Sequence, residues 1–203
     1  MTHHVLQMPI SEEQARCLRV NDTVTLERTL YGIRDATQIH MFDRGRKTHF
    51  ELHGHAVIHT APNVELVPPS DRYPAGYRPI CIGTTTSMRM ERFTAPLMQH
   101  YGVRIIVGKG GLGLSSLRAF QAHGGVYLAI IGGTAALETT WVNAIEDVDL
   151  DDLNPESLWK FNVTGFGPLL VAMDSFGNSL YTSVQEDTEL KKLRVLESLG
   201  LKK

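Results

Sequence analysis

Three β-branched runs, each closed by glycine or hydroxyl residues and followed by a helix-like stretch, constrain this chain most. They are Ile80-Cys81-Ile82 leading to Gly83-Thr84-Thr85-Thr86-Ser87-Met88-Arg89-Met90-Glu91, Val103-Arg104-Ile105-Ile106-Val107 leading to Gly108-Lys109-Gly110-Gly111, and the strand at 126–131 leading to Gly132-Gly133. Such a strand–turn–helix series predicts parallel strands with right-handed crossovers, and so an α/β class. Helices are expected over Met88–Tyr101, Ser115–His123 and Thr134–Ala144. Both cation-bearing turns then sit at the C-terminal edge of strands, where open α/β sheets bind ligands. Free N–H groups at a helix start attract anions, Arg adds a planar fork and Lys a point charge. Arg89 and Lys109 therefore suit a carboxylate or phosphate.

A third junction precedes these. Thr23–Leu30 alternates and reads as a strand, ending at Gly32-Ile33-Arg34-Asp35, where Asp35 is expected to cap a helix reaching Arg44. Arg34 thus occupies the same kind of place as Arg89 and Lys109. Ser11-Glu12-Glu13-Gln14 has capping-box spacing for a helix to Leu18. Residues 61–79 carry five of the nine prolines and read as an irregular loop. The acidic run 146–152 reads as a solvated loop, Lys160–Thr164 and Leu169–Asp174 as two strands, and 185–203 as a terminal helix. The 203 residues are expected to form one domain, 1–203.

Net charge −2 removes the electrostatic reason to expect nucleic acid or an anionic membrane surface. No apolar run is long enough to span a membrane, and Met1-Thr2-His3-His4 lacks a signal-peptide pattern, so a cytoplasmic protein is expected. Cys17 and Cys81 are far apart, which fits a reducing compartment and leaves this chain without the thiolates for a zinc or iron–sulfur site of its own. His49, His53, His55 and His59 invite a metal reading, but Gly54 interrupts any helical pairing and Ala56–His59 reads as a strand. Gly108-x-Gly110-x-x-Gly113 matches a dinucleotide turn, yet the following strand ends without the acid that would hold a ribose. A P-loop fails for want of Lys-Ser/Thr after the last glycine.

The segment Gly83–Glu91 resembles the G-P-T-T-S/A-x-R-M-D/E segment of the β subunit of iron–sulfur hydro-lyases, the class I fumarases and L(+)-tartrate dehydratases. Further landmarks follow in family order: Arg34-Asp35-Ala36, His59-Thr60-Ala61-Pro62, Val107–Gly111, Asn154-Pro155-Glu156-Ser157-Leu158-Trp159 and Asp174–Leu180. The resemblance implies a swivelling β/β/α domain with a parallel-strand β-α-β core, similar to the mobile domain of aconitase. It implies Arg34, Arg89 and Lys109 as ligands of the substrate carboxylates, and Thr85 as substrate contact and candidate base. It implies a [4Fe–4S] cluster held by an α subunit, activity only with that subunit, and an α2β2 assembly. Water would be removed reversibly from L-malate or L-tartrate, giving fumarate or oxaloacetate. Thr84 replaces the family proline, Gln38 stands where the family has histidine, and Thr60-Ala61 replaces Ala-Gly. The alternatives are a non-catalytic dicarboxylate-binding or regulatory subunit, and a nucleotide-binding domain.

Overall fold

The computed structural model describes residues 1–201, with only the backbone of Ala135 and Leu193. Strands β1 (His3–Gln7), β2 (Thr23–Ile33), β3 (Ala56–His59), β6 (Ile105–Gly108) and β7 (Val126–Ala129) run parallel in the order β1-β2-β3-β6-β7. The sixteen-residue β9 (Leu158–Met173) runs antiparallel to β7 and returns along β2, pairing Leu170 with Thr23 and Trp159 with Gly32. The sheet thereby closes into a barrel-like core, with β8 (Val142–Asp149) on the free side of β9. A parallel β-α-β centre, as expected, lies inside a mixed sheet.

Alternation within the short central strands divides the core. Ala56, Ile58, Ile105, Val107, Val126 and Leu128 face one cluster with Trp159 and Phe161. Val57, Ile106 and Tyr127 face the other, against helices α3 (Thr94–Tyr101) and α4 (Leu114–His123). Because successive side chains point to opposite faces, strands buried on both sides read as unbroken apolar runs. Ser11 caps α1 (Glu12–Cys17) by the expected capping box.

Five expectations are corrected. Residues 61–79 do not form only an irregular loop: β4 (Asn63–Leu66) pairs antiparallel with β5 (Tyr77–Cys81) in a separate two-stranded ribbon. The strand expected at 80–84 therefore lies outside the parallel sheet. The acidic run is largely β8, followed by a 3-10 turn at Asp151–Leu153. Bulges in β8 opposite β9 turn Val142, Ile145 and Val148 to one apolar face despite their three-residue spacing. The helix expected to reach Ala144 accordingly stops early, as α5 (Ala135–Thr140). Finally, the two C-terminal strands are one, β9, continuous through Gly165-Phe166-Gly167-Pro168.

The helix after Arg34 is α2 (Asp35–Gln38) followed by a π-helical turn, Ile39–Asp43. The terminal helix α6 starts earlier than expected, at Leu180, and ends at Ser198; residues 202 and 203 lie outside the described residues. No helix among the described residues is long and apolar enough to cross a membrane.

Candidate functional site

The ends of β2, β3 and β6 bring the three cationic junctions to one edge. Arg34 follows β2 and Lys109 follows β6 directly. The Thr84–Ser87 turn is laid between them by backbone pairing. Thr84 bridges Thr60 beyond β3, Thr86 bridges Lys109, Thr85 N–H donates to the His59 carbonyl at 2.8 Å, and Ser87 N–H donates to the Lys109 carbonyl at 2.9 Å. A 3-10 helix, Ser87–Phe93, then carries Arg89.

Arg89 forks onto Asp35, with Nη2 donating at 2.9 Å to one carboxylate oxygen and Nε at 3.3 Å to the other. The same Nη2 lies 3.2 Å from Thr85 Oγ1. Asp35 is therefore an Arg89 partner, not the cap expected of it. The N-cap of α2 is Arg34. The Arg89 hydrogen bond holds the Asp35 carboxyl below the usual carboxylate range, against a partial burial that opposes it. The Arg34 Nε sits 3.4 Å from Asp35 and 3.3 Å from Glu156, close enough for ion pairs but outside hydrogen-bond geometry. Arg34, Asp35, Arg89 and Thr85 thus form one connected group. Lys109 joins it through its backbone. Its side chain passes over Gly132, and its ammonium makes no ion pair or hydrogen bond among the described residues. Two of the three cations are thus matched by internal carboxylates, and the third is unmatched.

Below this group lies a part that the sequence did not suggest. His59 is fully buried, with Nδ1 2.9 Å from Ser87 Oγ, which is 3.0 Å from Tyr127 Oη. Burial drives the imidazole pKa down to about 3, so the ring is neutral. Among the described residues no group of three or more His, Cys, Asp or Glu is placed to hold a metal ion. On the opposite flank, Thr84 Oγ1 donates at 2.7 Å to the buried carboxylate of Glu138, which also accepts from Thr134. The hydroxyl that stands in place of the family proline is thereby fastened to α5.

A family model described as "Fumarase C-terminus" matches residues 2–184. The chain belongs to that family. It is similar to a putative fumarate hydratase class I of Geobacillus stearothermophilus, 38% identical over 189 residues, which cover 93% of this chain but only 35% of that protein. It is also similar to the L(+)-tartrate dehydratase subunit beta of Escherichia coli K12, 35% identical over 87% of this chain and 85% of that subunit. A putative L(+)-tartrate dehydratase subunit beta of Methanocaldococcus jannaschii is 36% identical over 182 residues.

Several fumarase-like segments have structural roles that explain their chemistry. Glu156 accepts the Ala36 N–H at 2.7 Å and so anchors the start of α2 beside Arg34. Asp174 accepts from the backbone of Phe176 and Asn178 and from the Asn178 amide, closing the turn before α6. Glu91 accepts from Gly113 N–H at 2.8 Å, Ser116 N–H at 3.0 Å and the hydroxyls of Ser115 and Ser116 at 2.5 Å, capping α4 from outside. Glu91→Ala is expected to cost about 2–3 kcal/mol in urea unfolding at pH 7, since it strips charge-assisted bonds from a helix start. The glutamate is partly buried, which raises its pKa, but the four donors win and lower it below 4.5. A folded pKa below the unfolded value gives stability that is complete above the unfolded pKa and is lost as pH falls through the folded one. The gap between wild type and variant should therefore close on acidification below about pH 4.5. A gap unchanged down to pH 3 would contradict this role.

Proposed function

We propose that this chain is the β subunit of a two-component hydro-lyase that reversibly removes water from a four-carbon hydroxy-dicarboxylate, either L-malate or L-tartrate. The observation that carries the reading is the Arg89 fork, fixed by Asp35 and laid against the Thr85 hydroxyl at 3.2 Å. Arg89 Nη1 carries none of these bonds, and Lys109 is unmatched, so both are available to a substrate carboxylate. Arg34, beside Asp35 and Glu156, is the third cation proposed for the substrate carboxylates. A guanidinium held in advance binds a carboxylate without first paying the entropy of being ordered. Thr85 is the candidate base for the proton next to the substrate carboxylate once its own proton has passed to a carboxylate of the α subunit, a transfer that the neighbouring Arg89 charge favours. Holding both carboxylates would fix the torsion about the bond from which the proton and hydroxide depart.

Relatives named as beta subunits support a partner subunit. So does the surface: Met88 and Leu114, 48% and 62% exposed, line one cavity with Gly110, and Ile131, 77% exposed, adjoins Gly132 under Lys109. Apolar side chains rimming a charged centre suit a second protein that excludes water from it. The [4Fe–4S] cluster that the resemblance implies does not fit this chain's own residues. Cys17 is exposed on α1 and Cys81 lies on β5, two thiols on separate elements where such a cluster needs three or four ligands. In this proposal the α subunit holds the cluster, within a cytoplasmic α2β2 assembly.

The test is anaerobic co-expression of the chain with its α subunit, followed by assays of L-malate and L-tartrate dehydration. Turnover of either is the expected result, and the preferred substrate names the enzyme. Dicarboxylate binding by this chain without turnover of either acid in the complex would make it a binding subunit instead.

A further inference from the structure

The buried polar chain beneath the Thr85 turn is expensive. His59, Ser87 and Tyr127 are each buried, on β3, at the start of the 3-10 helix and on β7 respectively. His59 Nε2 is buried without a hydrogen-bond partner. A buried polar atom left unmatched costs about 1–3 kcal/mol, and an apolar side chain in the same strand position would avoid it. A second cost falls on Gly108. A Cβ there would overlap Ser87 Oγ and lie 2.9 Å from Tyr127 Oη, so β6 has to stay bare for this chain to pass. Packing alone explains neither.

What the arrangement achieves is a two-point grip on the turn. The His59 carbonyl accepts the Thr85 N–H at 2.8 Å, and the His59 ring holds Ser87 at 2.9 Å, two residues further on. Tyr127 fixes the Ser87 hydroxyl from the far side at 3.0 Å. Burial keeps the Tyr127 phenol protonated, and each link of the chain, Tyr127 to Ser87 and Ser87 to the ring, can run in either direction. The backbone of Thr85 is thereby held on both sides, with its hydroxyl 3.2 Å from Arg89 Nη2.

Resting on the hydro-lyase reading above, we infer that His59, acting through Ser87 and Tyr127, is a positioning residue that sets the Thr85 hydroxyl for proton abstraction. None of the three touches the substrate in this proposal. A misplacement on the order of 1 Å at a reacting group costs about 100-fold, so partial loosening should cost roughly tenfold.

The test uses the assembled complex. Tyr127→Phe removes one hydroxyl and keeps the ring, and Ser87→Ala removes the link to His59. Both are expected to lower kcat about tenfold while KM stays within twofold, since carboxylate binding is left in place. His59→Gln should lower kcat further. In a Thr85→Ser background, whose smaller side chain is less constrained, the Tyr127→Phe loss should shrink to less than threefold. Wild-type kcat in both Tyr127→Phe and Ser87→Ala would overturn the inference, and so would an equal rise in KM. A full Tyr127→Phe loss in the Thr85→Ser background would also overturn it, because the effect would then not run through Thr85. These outcomes presuppose an active wild-type complex. An inactive one would overturn the hydro-lyase reading itself and this inference with it. If His59→Gln fails to fold, the other two variants still decide.

Discussion

Arg89→Ala should reduce kcat/KM for the dicarboxylate by about 1,000-fold in the assembled complex, measured by steady-state dehydration. The guanidinium serves two partners at once. In the proposed reaction it meets a carboxylate through Nη1, and it puts positive charge 3.2 Å from Thr85 Oγ1. Truncation removes both effects. The fold should be nearly indifferent, because Arg89 is exposed and a surface ion pair of this kind contributes at most about 1 kcal/mol. Activity and thermal stability should therefore separate. Arg89→Lys tests the geometry: it keeps the charge but cannot fork onto Asp35, so it should recover only a minor part of the loss. A full recovery with lysine would mean that charge alone matters, and that the Asp35 fork has no part in the reaction.

The second large effect is expected at Thr85. Thr85→Val keeps the shape and removes the hydroxyl, and should lower kcat by about 1,000-fold with KM changed less than fivefold. That split separates a base from a binding group. If KM rises by as much as kcat falls, Thr85 contributes binding, and proton abstraction belongs to another group. The unfolding midpoint serves as the control, since Thr85 is only partly buried and its backbone bond to His59 survives the substitution.

Much of the framework was legible in the sequence, and the reason is local. Ile105–Val107 and Ala56–Ile58 are apolar because the parallel strands are buried on both faces, and glycine or hydroxyl turns mark their ends. α1 announces itself by Ser11 and Gln14. β8 does not, because its acids face outward and its apolar residues fall at helical spacing until bulges against β9 realign them. Nothing within 142–149 encodes that partner. β9 does not read as one strand either, since glycine and proline at 165–168 suggest a break that pairing with β2 overrides. The site divides along the same line. Arg34, Arg89 and Lys109 stand out because cations at strand-to-helix turns are a local signal. The His59–Ser87–Tyr127 chain joins residues 28 and 40 positions apart, and no spacing rule connects them. Asp35 and Glu138 were hidden differently: each has an ordinary local role as a helix-start or helix-face acid, and only the folded chain aims them at Arg89 and Thr84.

The seam where β9 closes onto β2 governs the order in which the molecule can be made. One side is specified by residues 23–33 and the other by residues 158–173, so most of the chain must leave the ribosome before the seam can form. Until then the edge from Thr23 to Gly32 shows unpaired N–H and C=O groups beside a strongly apolar face, a ready template for another chain. Contacts of such long sequence separation also slow folding, because loop-closure entropy is spent before they form. This chain is therefore most exposed to misassembly during its own synthesis, until β9 arrives to remove the hazard.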